Sequence, residues 1–131
     1  MISEIFGVII IMNISESGTS KILTYLGFAA KSGKLVYGKD MIREYITDPK
    51  IQNKLIIIAT DAGPRVKKDL KIRCEINNVK YFEIFEKSTL SKATGMKEVS
   101  ALGITDENLS KAIVDVLRGE QNVRGKDTNG R

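Results

Sequence analysis

The run Leu55-Ile56-Ile57-Ile58-Ala59 constrains this chain more than any other segment. Five consecutive aliphatic residues between polar Lys54 and Thr60 leave no face for water. Such a run fits a strand covered on both sides, and a strand of that kind needs a layer of helices above and below it. The flanking sequence supplies those layers. Ser20 can cap a first helix whose apolar residues are Ile22, Leu23, Leu26, Ala29 and Ala30, with Gly33 ending it. Leu35-Val36-Tyr37 reads as a short strand. A second helix follows Gly38, with Met41, Ile42, Tyr45 and Ile46 on one face, and Asp48-Pro49 stops it.

The same alternation continues after the central run. Asp61-Ala62-Gly63-Pro64 is a turn, and Pro64 suits the first position of a third helix. That helix sets Val66, Leu70 and Cys74 four residues apart, with Ile76 nearby. Tyr81 to Phe85 is a strand, Ser88 or Thr89 caps a short fourth helix, and Val99 to Ile104 is the last strand. Thr105-Asp106 then caps a final helix with Leu109, Ala112, Ile113, Val116 and Leu117 inward. Strands alternating with helices predict a three-layer α/β/α sandwich around a four-stranded mixed sheet. No linker or repeat divides the 131 residues, which make one ordinary domain.

The ends read differently. Ile5 to Met12 is apolar but far short of the roughly 20 residues that span a bilayer, and it lacks the flanks of a signal peptide. The first dozen residues are therefore expected to be dispensable, within a leader covering 1–19. The ordered domain is expected over 20–118. Residues 119–131 are polar and glycine-containing, and read as a flexible tail.

Composition narrows the chemistry. The chain has no histidine and one cysteine. That removes the commonest general base, the Ser–His and Cys–His nucleophile pairs and the usual zinc ligand sets. No metal and no cofactor are expected. A single thiol forms no internal disulfide, so a cytoplasmic location is expected. Gly27-Phe28-Ala29-Ala30-Lys31-Ser32-Gly33-Lys34 superficially resembles a phosphate-binding loop. It fails because five residues separate its glycines, and because Leu35 stands where a hydroxyl should bind magnesium. Cys74, on an apolar stripe, reads as a buried inert thiol.

Charge points the other way. The net charge is +5, and residues 31–97 carry fifteen Lys and Arg against eight Asp and Glu, so the excess belongs to the domain itself. A basic domain suits a polyanion. Arg65, Lys67, Lys68, Lys71 and Arg73 make the third helix basic, either as a solvated face or as phosphate contacts near a helix N-terminus. Lys39 and Arg43 lie one turn apart on the second helix, where Gly38 would let a backbone approach.

Several segments, taken in order, resemble a known family. They are Ala30-Lys31-Ser32-Gly33-Lys34, Gly38 opening a helix, and Lys54 to Ala59. Asp61 with Pro64 three positions on, and Leu90-Ser91-Lys92-Ala93-Thr94-Gly95 before the last strand, complete the set. Over about residues 20–118 the chain resembles the ribosomal-protein family L-seven-Ae/L-thirty-e, and within it the bacterial stand-alone branch. Members of the family bind kink-turns and related bent RNAs. The resemblance implies an α/β/α sandwich without enzymatic activity. Its RNA surface would comprise Gly38, Lys39, Asp40, Met41 and Glu44 on the second helix, Asp61 on the turn, and Leu90, Ser91, Lys92, Ala93, Thr94 and Gly95 on the loop. Strong kink-turn binders carry Asn-Glu where this chain has Asp40-Met41, and Lys where it has Glu44. Asp at neutral pH only accepts hydrogen bonds, and Glu44 repels phosphate.

The resulting expectation is a non-catalytic, monomeric protein binding structured RNA, kink-turn-like or ribosomal. Lys31, Lys34, Lys39, Arg43, Arg65 and Lys92 would meet phosphates. The alternative is an adaptor for a ribosome-assembly or translation-factor protein, anchored by Tyr37 and Met41.

Overall fold

The computed structural model describes residues 14–129, with side chains described through Gly119. The leader's apolar run, Ile5 to Met12, lies outside the described residues. The central run forms β2 (Leu55–Ile58), and every one of its residues is buried. Three further strands, β1 (Leu35–Tyr37), β3 (Lys80–Glu83) and β4 (Ala101–Ile104), complete a sheet of order β1-β4-β2-β3. Strand β4 is antiparallel to both neighbours, while β2 and β3 are parallel. The sheet is therefore mixed, and its two central strands are the ones buried end to end.

Five helices cover it: α1 (Glu16–Lys31), α2 (Lys39–Thr47), α3 (Pro64–Ile76), α4 (Lys87–Thr94) and α5 (Glu107–Asn129). Helix α1 packs against α4 and α5, whereas α2 touches β1 and β4, and α3 touches β3. The result is the three-layer α/β/α sandwich that the aliphatic run demanded. Ile22, Leu26, Ile113 and Leu117 reach zero exposure on the α1/α5 side, and Ile42, Tyr45, Ile46 and Leu70 are buried on α2 and α3.

Local chemistry explains most boundaries. Helix α1 closes with the Gly33 amide donating to the Ala30 carbonyl (3.2 Å) and the Lys34 amide to that of Ala29 (2.8 Å). This is the double bond expected of a glycine-terminated helix. Gly38 takes φ 91°, a conformation that favours glycine, and turns the chain from β1 into α2. Pro64 stands at the start of α3.

Several expectations need correction. Helix α1 begins at Glu16, capped by Ser15, whose side chain accepts from the Gly18 amide at 3.0 Å; Ser20 is interior to it. The domain thus starts before residue 20, with Gly18 buried and Ile14 packed on the core. Helix α4 begins at Lys87 without a side-chain cap from Ser88 or Thr89. Its first amide is instead satisfied by Asp61, across 26 residues of sequence. Helix α5 does not stop near Gly119 but continues to Asn129. Met41, Val66 and Ile76, expected on apolar faces, are 50%, 41% and 76% exposed. Ile76 lies about 120° or more round α3 from Leu70 and Cys74, whereas Met41 and Val66 stand in the first turn of their helices.

Candidate nucleic-acid interface

Helices α2 and α3 border one shared hollow. Between them runs a groove of about 500 Å³, closed at one end by the segment entering β4. Its floor is apolar: Ile42 from α2, Leu70 from α3, and Val99 and Ala101 beside β4 are nearly fully buried. Its rim is cationic, with Lys39 and Arg43 on one wall and Arg65 on the other. Tyr37 and Val66 line it while remaining 46% and 41% exposed. The size suits a base or a short stretch of chain.

Arg43 is the telling residue. Its Nε is buried and has no hydrogen-bond partner among the described residues. Buried donors are almost always satisfied, and a guanidinium N–H left without an acceptor costs about 1–3 kcal/mol or more. An acceptor brought by a ligand would remove that cost. The two carboxylates of the groove are Asp69, which accepts from Arg73 Nε at 3.0 Å, and Glu98.

The basic run of α3 contributes less than its composition promised. Lys67 and Lys71 both reach Glu83 on β3, at 2.9 and 2.7 Å, and Arg73 pairs with Asp69. Burial pushes the Glu83 carboxyl up, but its bonds to Lys71 and Lys67 outweigh burial and hold it below the ordinary carboxylate value. Arg65 and Lys68 are the cations of α3 outside ion pairs among the described residues. Cys74 is fully buried, and burial, reinforced by the adjacent Glu75 charge, raises its thiol to about 12. At neutral pH it is a packed, protonated thiol.

The remaining residues expected at one RNA surface are dispersed. Gly38, Lys39, Arg43 and Arg65 meet at the groove. Asp40, Met41 and Glu44 are exposed on the outward side of α2. Lys34 precedes β1 while Gly38 follows it, so the two lie roughly 13 Å apart along the strand, at opposite ends of the sheet. Lys31, in the last turn of α1, is likewise outside the groove. Asp61 caps α4.

Within the segment Leu90 to Gly95, several side chains hold the fold together. Leu90 is fully buried, Ser91 Oγ accepts from the Val99 amide at 3.3 Å, and Thr94 Oγ1 donates to the Leu90 carbonyl at 2.8 Å. Gly95 caps α4. Lys92 and Ala93 line a separate shallow groove between α1 and α4. The loop that does reach the main groove is the next one, through Glu98, Val99 and Ser100. Small and polar residues without periodicity gave no sequence signal for it. Tyr37 was readable as an exposed anchor, but Ile42, Val66 and Leu70 read only as core.

Among the described residues no helix is long and apolar enough to cross a membrane. Comparison with known proteins agrees with this architecture. A curated relative, the RNA-binding protein YlxQ of Enterococcus faecium, is 27% identical over 105 residues, covering 80% of this chain and 99% of that protein. Two solved structures share the fold. One is a protein of unknown function from Bacillus halodurans, with a TM-score of 0.69 and 24% identity, covering 75% of this chain and 97% of the other. The second is a 15.5kD RNA binding protein of Giardia lamblia, with a TM-score of 0.67 and 21% identity, covering 86% and 94%. The model of the ribosomal protein L7Ae/L30e/S12e/Gadd45 family matches residues 20–114, and with the sheet order and helix layers described above it establishes that the chain belongs to that family.

Proposed function

We propose that this chain binds structured RNA, kink-turn-like or ribosomal, through the α2–α3 groove, and carries no reaction of its own. The observation that carries the reading is the buried Arg43 Nε without an acceptor, set between Lys39 and Arg65 above an apolar floor. A phosphate oxygen is the acceptor that a guanidinium suits best. The apolar floor and the exposed Tyr37 ring suit an unstacked base, the element by which proteins read bent or looped RNA. Membership of the family and the RNA-binding name of the Enterococcus faecium relative support the same reading.

The test is fluorescence anisotropy with a bulged RNA hairpin. Arg43→Ala and Arg65→Ala should each weaken binding about tenfold, the range of a lost charge-assisted contact. The slope of log affinity against log salt should flatten by somewhat under one unit per substitution. Wild-type affinity that stayed level from 50 to 200 mM salt would refute the reading.

The exposure of Tyr37 and Met41 favours one second reading, an adaptor for a translation or ribosome-assembly protein. A partner captured from lysate only when ribonuclease is omitted speaks against the adaptor, and one that survives ribonuclease speaks for it.

A further inference from the structure

The end of the sheet opposite the α2–α3 groove carries a second basic cleft. Lys54 stands immediately before β2 and Lys80 opens β3, and the two strands pair with Leu55 beside Lys80. Lys111 and Arg118 come from one stripe of α5. Together with Asn53 and Asp115 these side chains line a cleft of about 240 Å³ between the edge strand and that helix. None of Lys54, Lys80 and Lys111 is in an ion pair among the described residues, in contrast to Lys67 and Lys71 of α3. Lys54 and Lys80 are moreover half-buried.

Counter-charge at the cleft is scarce. Among the described residues Asp115 is its one carboxylate, and nearby Glu107 accepts from the Asn53 amide at 2.8 Å. The cations extend along α5 for roughly 10 Å, from Lys111 to Arg118. A single small anion would span only part of that length. A phosphodiester backbone, advancing on the order of 3 Å of axis per phosphate, would run along all of it. The cleft has no aromatic lining on which a base could stack, so contact there would be to backbone and independent of sequence.

We infer that this cleft is a second RNA-backbone site, which lets one chain hold two RNA segments at opposite ends of its sheet. The inference rests on the RNA-binding reading for its ligand class. Both are tested by titrating the isotope-labelled chain with the bulged RNA hairpin, its stem extended to 16 base pairs, and following amide shifts by NMR. Movement at residues 54, 80 and 111–118 is expected, alongside a separate cluster at 38–43 and 65–70. Lys54→Glu/Lys80→Glu/Lys111→Glu should abolish the first cluster, leave the second, and flatten the salt slope by about 2–3 units. Shifts confined to the α2–α3 groove would overturn the second site while leaving the proposed function standing. Shifts confined to the cleft would support the second site and remove the groove. Were the triple variant to misfold, the wild-type titration alone decides, and an unmoved cleft there overturns the inference.

Discussion

Gly103 lies directly beneath the Tyr45 ring: a Cβ built on it would stand 2.8 Å from Tyr45 Cε2 and 2.9 Å from Val36 Cγ2. The ring has no freedom to retreat. Its hydroxyl donates to the Ile104 carbonyl at 2.6 Å and accepts from the Leu55 amide at 2.7 Å. Tyr45 thereby fastens α2 to the two central strands, half a turn beyond the groove residue Arg43. Gly103→Ala should therefore destabilise the fold by about 1–3 kcal/mol, the usual effect of overpacking. Tyr45→Phe should cost about 1–3 kcal/mol by leaving the Leu55 amide buried without its acceptor. Urea denaturation at pH 7 checks both, and a midpoint unchanged in either variant contradicts the account.

Alkali should weaken the fold for a related reason. Burial raises the Tyr45 hydroxyl from 10.0 to about 12, despite the opposing hydrogen bond from the Leu55 amide. Burial, with a smaller contribution from Glu75, raises the Cys74 thiol from 9.0 to about 12. Both groups are neutral when protonated, and the unfolded chain loses these protons first. Their stabilising effect is complete below pH 9. It falls as pH rises to about 12, by up to about 1.4 kcal/mol per pH unit for each group once its unfolded value is passed. Urea midpoints should be level near pH 7–8 and decline above 9, and Cys74→Ala should delay the decline toward pH 10. A midpoint constant to pH 11 would be incompatible with these buried groups.

The fold was legible because its signals are local. The unbroken Leu55–Ala59 run, Gly38 before α2 and Pro64 opening α3 each act over a few residues, and the structure follows them. What escaped depends on distant partners. Asp61 replaces Ser88 as the cap of α4 because the turn after β2 lies against its start. The lysines of α3 look available in sequence, yet Glu83, on the neighbouring strand, pairs with two of them. The hydroxyls of Ser91 and Thr94 resemble a contact loop but are used internally. The groove is the clearest case: its walls come from α2, α3 and the segment before β4, and only the sheet brings them together.

Glu83 offers a measurable example. Its side chain is 19% exposed and holds Lys67 and Lys71, which are 24% and 32% exposed. Its carboxyl is held below the ordinary value, so the stabilisation is present above the unfolded value near 4.5. It is lost as pH falls through the lower folded value. Glu83→Gln should cost about 1 kcal/mol at pH 7, at the upper end for partly exposed pairs. The difference from wild type should shrink as pH falls below 4.5 and through the lowered folded value. Equal stabilities at pH 7 would show that the two lysines gain nothing from their partner.

The outward side of α2 is expected, from the family resemblance, to bear on RNA choice. Asp40, Met41 and Glu44 are exposed there, so replacing them disturbs no packing. By the family resemblance these positions favour Asn, Glu and Lys in strong kink-turn binders. Asp40→Asn restores a donor that a base edge can use. Glu44→Lys changes the local charge by two units where a phosphate would lie. The triple variant Asp40→Asn/Met41→Glu/Glu44→Lys should bind a kink-turn RNA about tenfold more tightly than wild type, while its affinity for an unbent duplex changes less. Glu44→Lys alone should tighten both about equally, because a phosphate contact positions RNA without reading it. Paired anisotropy titrations at fixed salt separate these effects. If the triple variant gained nothing on the kink-turn, this face of α2 would not be the one that reads it.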